Sequence, residues 1–212
     1  MALMFVKHMR NAGLGVWEIT EPVEELLGQV KLSDEEQVFY RGLKSQMRRR
    51  QWLSYRLILP QLLDPQAVSG IVYDEQGKPG LENAAGHVSA THSGKFSALI
   101  FSKTKRVGVD IEIIHPRIIK LTHKFLNPEE LEYRFASHAL ESLYVIWGAK
   151  EALYKLHGGC GLVFSQHIHI NPFVFTGNGL ITGRVIRGDE TITYTLFYES
   201  LEDYILVYTV EP

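Results

Sequence analysis

Val107-Gly108-Val109-Asp110-Ile111-Glu112 is the stretch on which the fold of this chain turns. Its residues alternate in character. As a strand it carries Val107, Val109 and Ile111 on one face and Gly108, Asp110 and Glu112 on the other. Asp110 and Glu112 therefore point the same way, held by apolar neighbours. Two carboxylates held close repel each other unless a proton or a cation intervenes, and a hard, oxygen-seeking ion such as Mg²⁺ meets that need. Taken alone, the pair is more simply the solvated acidic face of an amphipathic strand, so the flanking sequence has to decide.

Upstream, Phe96, Ala98 and Ile100 alternate in a strand over Lys95–Ser102. A partner strand runs over His87–Ser93, and Gly94 makes the tight turn between them. Before these comes a polar loop from Asp74 to Gly80 that includes Gly77-Lys78-Pro79. Earlier still, Ser33-Asp34-Glu35-Glu36 opens a helix as a capping box. Phe39, Leu43, Met47, Leu53 and Leu57 continue it at helical spacing, and Pro60 is expected to stop it. That helix bears Arg48, Arg49, Arg50 and Arg56.

Downstream, Asn127-Pro128-Glu129-Glu130 is a strong helix start, with an Asn cap, Pro at the first position and two acids at the positive end of the dipole. A longer helix is expected from about His138 to His157, ended by Gly158-Gly159. The remainder is β-rich. Ile168 and Ile170 alternate with histidines, Asn178-Gly179 reads as a turn, and Thr191–Glu199 and Tyr204–Val210 read as strands. The chain is thus α+β, with two similar α/β halves meeting near residues 103–115. The expected halves are 1–104 and 105–212.

Composition narrows the function. With 22 basic and 24 acidic residues among 212, bulk charge favours neither nucleic acid nor an anionic membrane. The one cysteine, Cys160, allows no internal disulfide, which fits a reducing, cytoplasmic setting. The apolar run at the N-terminus is too short for a signal-peptide core and reads as a first strand. No stretch is apolar enough for a spanning helix.

Chemistry concentrates in a few places. In Trp147-Gly148-Ala149-Lys150-Glu151-Ala152-Leu153-Tyr154-Lys155, residues 147, 151 and 155 share a helix face. Glu151 and Lys155 suit an ordinary surface ion pair, or a third acid beside Asp110 and Glu112 with a cation for a phosphate oxygen. Thr91-His92-Ser93-Gly94 offers a histidine and hydroxyls to a phosphate, although a lone turn histidine is commoner. Lys78 and the arginines are open to the same two interpretations. His167-x-His169 lacks the further ligands of a zinc site and reads as strand alternation.

The order of these elements is more telling than any one of them. Gly-Lys-Pro, Thr-His-Ser-Gly, Gly-Val-Asp-Ile-Glu and Trp-x-x-Lys-Glu-x-x-x-Lys, with Phe125-Leu126-Asn127-Pro128-Glu129-Glu130 between the last two, resemble the motif series of the 4′-phosphopantetheinyl transferases. The resemblance runs from about Arg48 to Leu162 and is to the larger, monomeric type. Two departures stand out: Thr91 replaces a frequent serine, and Gly159-Cys160-Gly161-Leu162 lacks the lysine of a frequent Gly-Lys-Gly.

The resemblance implies two halves in a pseudo-twofold arrangement with the active site in the cleft between them. It implies transfer of 4′-phosphopantetheine from coenzyme A to a serine of an apo acyl or peptidyl carrier protein, with release of 3′,5′-ADP. Asp110, Glu112 and Glu151 would hold Mg²⁺, and Glu151 would also take the serine proton. Lys155 would meet the leaving phosphate, and Arg50, Lys78, Thr91 and His92 would grip the coenzyme A phosphates. Two rivals are a Mg²⁺-dependent hydrolase of a nucleotide pyrophosphate and a non-catalytic module that binds coenzyme A or carriers.

Overall fold

The computed structural model describes residues 3–63, 70–75, 77–82, 84–159 and 161–212; Cys160 lies outside them. The fold is α+β and divides into two compact units, Met1–Lys105 and Arg106–Pro212.

The first unit is built on an antiparallel sheet. β1 (Leu3–Met9) and β2 (Ala12–Glu18) form a hairpin. α1 (Val23–Gly28), α2 (Asp34–Gly42) and α3 (Gln46–Leu62) follow. The short strands β3 (Ile71–Tyr73) and β4 (Pro79–Leu81) pair with each other, and β5 (His87–Ser93) and β6 (Phe96–Ser102) complete the sheet in the order β1-β2-β6-β5. α3 lies against this sheet at close range. A Cβ on Gly15 would come within 2.4 Å of Ile58 Cγ2, so only hydrogen fits there. Trp17, Leu26, Trp52, Leu53, Ile58 and Leu99 form the heart of the core.

The expected single early helix is two helices. Leu43 is extended, and Ser45 caps a new start by accepting from the Arg48 amide. A serine side chain that satisfies an otherwise orphaned amide makes a second helix start favourable. Pro60 does not stop the helix. It sits in the last turn, where little ladder remains for it to interrupt.

α2 and α3 are locked by a buried ion pair. Arg56 Nε donates to Glu36 Oε1 at 2.8 Å, its other nitrogens donate to the Trp52 and Ile71 carbonyls, and its guanidinium lies 3.2 Å over the Trp52 ring. Removing one partner of such a pair leaves a buried charge uncompensated. Glu36→Ala is therefore expected to cost the first unit about 3 kcal/mol, measured by urea unfolding followed through tryptophan fluorescence. An unchanged midpoint would contradict this.

The second unit carries a five-stranded antiparallel sheet. In chain order its elements are β7 (Val107–Ile113), a 3₁₀ turn over Pro116–Leu121, α4 (Thr122–Phe125), a second 3₁₀ segment over Pro128–Phe135, α5 (Ala139–Leu156), α6 (Phe164–His167), β8 (Ile168–Ile170), β9 (Asn178–Arg187), β10 (Glu190–Leu201) and β11 (Tyr204–Val210). The sheet order is β7-β11-β10-β9-β8. α5 packs on β7 and β11. Leu143, Val145, Ile146, Ala149, Leu153 and Leu156 are buried, so this helix is apolar over most of its circumference. It ends as expected: Gly158 and Gly159 adopt φ of 74° and 78°, and their amides close onto the Lys155 and Tyr154 carbonyls.

One turn moves. Asn178-Gly179 opens β9 instead of forming a hairpin tip, with Gly179 opposite Tyr198. Gly177, at φ 83°, supplies the bend just before it. Among the described residues no helix is long and apolar enough to cross a membrane.

Candidate active site

β7 and α5 together build the acidic site. Asp110 is 4% exposed, and Glu112 and Glu151 are half-buried. The face of β7 that bears Gly108 and Asp110 is covered by the helix. A Cβ on Gly108 would stand 1.9 Å from the Ala152 carbonyl oxygen, and one on Gly148 would lie 3.7 Å from Asp110 Oδ2. The interpretation of the strand as a solvated acidic face therefore fails. The missing side chains at 108 and 148 let the helix approach until it buries the carboxylate.

The two strand acids are engaged. Lys155 Nζ donates to Asp110 Oδ1 at 2.7 Å and to the Val109 carbonyl at 3.0 Å. Trp147 Nε1 donates to Glu112 Oε1 at 3.2 Å while its ring packs edge-on to Phe125. The helix stripe at 147, 151 and 155 thus faces β7. Lys155 pairs with Asp110 on the strand, so the simple surface pair with Glu151 is not what the helix uses. Glu151 lies in a field of negative charge. Burial, then the Asp110 charge, push its carboxyl up to about 7; Lys155 opposes this and Glu112 adds to it. Among the described residues no three His, Cys, Asp or Glu side chains are gathered closely enough to hold a metal ion as they stand.

Residues 106–209 match the sequence profile of the 4′-phosphopantetheinyl transferase superfamily. That stretch, just under half of the chain, is similar to the 4′-phosphopantetheinyl transferase superfamily. It is 34% identical over 119 residues to the 4′-phosphopantetheinyl transferase AcpT of Salmonella typhimurium, covering 53% of this chain and 61% of that protein. Against the AcpT of Escherichia coli K12 it is 34% identical over 128 residues, 56% of this chain and 65% of that one. Against a 4′-phosphopantetheinyl transferase of Bacillus subtilis it is 30% identical over 100 residues, 45% and 44%. The chain thus spans less than two thirds of the length of these relatives. The superfamily span contains Asp110, Glu112, Glu151 and Lys155.

The other residues singled out from the sequence lie in the first unit, outside the superfamily span. Thr91 and His92 sit on β5; Thr91 is buried, and the His92 ring stacks at 6.3 Å on Tyr55 of α3. Gln51 ties α3 to the Gly94 carbonyl at 3.2 Å. Arg50, one residue earlier, is half-buried, and its Nε makes no hydrogen bond. The arginine cluster is therefore divided in its work. Arg56 is spent on Glu36, Arg49 donates to the Leu43 carbonyl, and Arg50 retains a donor. Lys78 is exposed beside β4, in a turn closed by its own amide on Asp74 Oδ1 at 2.8 Å.

Lys150 and Glu130 had no assigned role in the sequence. Lys150 is 0% exposed, and its ammonium donates to Glu130 Oε2 at 2.6 Å and to the Phe125 and Phe164 carbonyls at 2.7 and 3.2 Å. Burial pushes this ammonium below its ordinary value, with Glu130 opposing the shift. The one legible signal was the Asn127–Glu130 capping pattern. It does form, but its acid also reaches into the core.

Proposed function

We infer that this protein transfers 4′-phosphopantetheine from coenzyme A to a serine hydroxyl of an apo carrier protein and releases 3′,5′-ADP, with Mg²⁺ as its ion. What supports this is the setting of Glu151: a half-buried carboxyl among Asp110, Glu112 and Lys155, inside the span matched by the superfamily.

The donor set suits the ion. Asp110, Glu112 and Glu151 offer hard oxygen ligands on β7 and α5, with Lys155 opposing their charge, and these three, drawn closer than they stand, would hold Mg²⁺. When bound, it would neutralise charge on the pyrophosphate. Glu151 would also accept the serine proton. The serine oxygen then forms its bond to the phosphorus that bears pantetheine, and the bond from that phosphorus to the 3′,5′-ADP oxygen breaks. Lys155 exchanges its Asp110 contact for the leaving phosphate oxygen and stabilises the charge that develops there. Arg50, Lys78, Thr91 and His92 hold the coenzyme A phosphates.

The carrier is a small acidic helical domain. A mixed face suits it: Arg117, Lys120 and Lys124 are exposed beside exposed Ile119 and Leu121. Opposite charge speeds such an encounter, and apolar groups hold it.

The test is to incubate the protein with coenzyme A, Mg²⁺ and an apo carrier and to weigh the carrier. The expected result is a mass gain of one phosphopantetheine on the serine, abolished by EDTA and restored by Mg²⁺. Turnover that persists in chelator would remove the metal. Release of phosphopantetheine without any carrier would favour a hydrolase, and binding without either product a non-catalytic module.

A further inference from the structure

α5 is clamped from two sides. On one side it meets β7 across Gly108 and Gly148, where backbone and small atoms touch. On another, Lys150 reaches into the core and uses all three of its ammonium hydrogens, on Glu130, the Phe125 carbonyl and the Phe164 carbonyl. Glu130 is equally committed. Its Oε1 accepts from the Ile170 amide at 2.7 Å, and its Oε2 accepts from the Asn127 amide at 2.9 Å as well as from Lys150. Five segments are joined at this one ion pair: the residues around Phe125, the capping turn at 127–130, α5, the start of α6, and β8.

We propose that Lys150 and Glu130 are positioning residues that set the axial placement of α5, and so the approach of Glu151 and Lys155 to Asp110. The geometry requires some such tether. The glycine contacts with β7 fix how near the helix comes, but smooth surfaces of that kind resist sliding poorly. A fully hydrogen-bonded ammonium one residue from Glu151 resists both sliding and rotation. The pair touches neither substrate nor ion; it acts through the helix. This rests on the function proposed above.

The experiment uses the full chain with Mn²⁺ alone as the probe, its binding read by electron paramagnetic resonance. Carrier loading is measured in parallel on Lys150→Met and Glu130→Gln. Near-UV circular dichroism checks that each variant is folded, and the milder Glu130→Gln decides if Lys150→Met is not. Outer-sphere partners of this kind typically govern affinity or activity by about 10–100-fold. The expected result is accordingly a Mn²⁺ Kd raised roughly tenfold or more and a kcat reduced by about the same factor, with KM for coenzyme A little changed. A folded variant that binds Mn²⁺ and turns over as the wild type does, merely with a lower melting temperature, would overturn the positioning role and leave the transferase assignment standing. A wild-type protein that neither binds Mn²⁺ nor loads a carrier would instead sink the assignment itself.

Discussion

Gly108→Ala is expected to be among the most damaging single substitutions in the second unit. The added Cβ would fall 1.9 Å from the Ala152 carbonyl oxygen and 2.7 Å from its carbonyl carbon. Both are backbone atoms in the middle of α5, so no rotamer change can relieve the overlap. The helix must move bodily away from β7. Overpacking usually costs about 1–3 kcal/mol where side chains can adjust, and a clash with backbone belongs at or beyond the upper end, about 3 kcal/mol or more. For a chain of this size that corresponds to a fall in melting temperature of roughly 6–12 °C. Gly148→Ala is the internal control. Its Cβ would meet Val207 Cγ2 at 2.9 Å, the tip of a side chain, so the expected cost is about 1 kcal/mol. Thermal melts of the two variants side by side test this, and equal losses would mean that helix and strand are not in the contact described. Activity should fall with stability in Gly108→Ala, because the same movement carries Glu151 away from Asp110.

Glu151→Gln should separate the two properties. The carboxyl is half-buried beside Asp110 and is pushed up to about 7, so the folded chain holds its proton more tightly than the unfolded chain does. Ionising it therefore penalises folding. The penalty is absent below the ordinary carboxylate range, grows as pH rises from about 4.5, and is complete above about 7. In chelator, the glutamine variant should match the wild type near pH 4 and be the more stable of the two near pH 8. Under the proposed function, carrier loading should drop by about 10²–10⁴-fold, the usual scale for loss of a general base, and loss of a proposed ion ligand would act in the same direction. Urea midpoints across this pH range, with carrier loading at neutral pH, give both readouts. A variant no more stable than wild type at pH 8 would deny the crowding of charge around residue 151. One that loads a carrier at the normal rate would remove the residue from the chemistry. Asp110→Ala should also lose transfer, but without the gain in stability, because it takes from Lys155 the carboxylate it holds at 2.7 Å.

The motif residues, and the strand and helix that carry them, were legible in one dimension. Alternation in 107–112 marks a strand whose acids share a face, and helical spacing places 147, 151 and 155 together. Gly158-Gly159 ends α5 where a left-handed backbone is needed. Local chemistry of this kind depends on a few neighbouring residues, so the sequence carries it directly, and the α+β class follows from it. The expectations that failed were those decided by competition between equally plausible local options. Ser45 captured a helix start that hydrophobic spacing alone would have run through, and Gly177 took the bend assigned to Asn178-Gly179.

Only the tertiary structure decided how the charged groups are shared out. Nothing local tells Arg56 from Arg50, yet one is consumed by Glu36, twenty residues away in the chain, and the other keeps a donor. Lys155 could have joined Glu151 one turn back on its helix and instead pairs with Asp110 across the β7 contact. Lys150, adjacent to the key acid and outwardly a surface lysine, is fully buried. Whether a charge is solvated, paired or buried depends on which distant backbone packs over it. Here two glycines let that backbone come close enough to bury a carboxylate of an acidic strand.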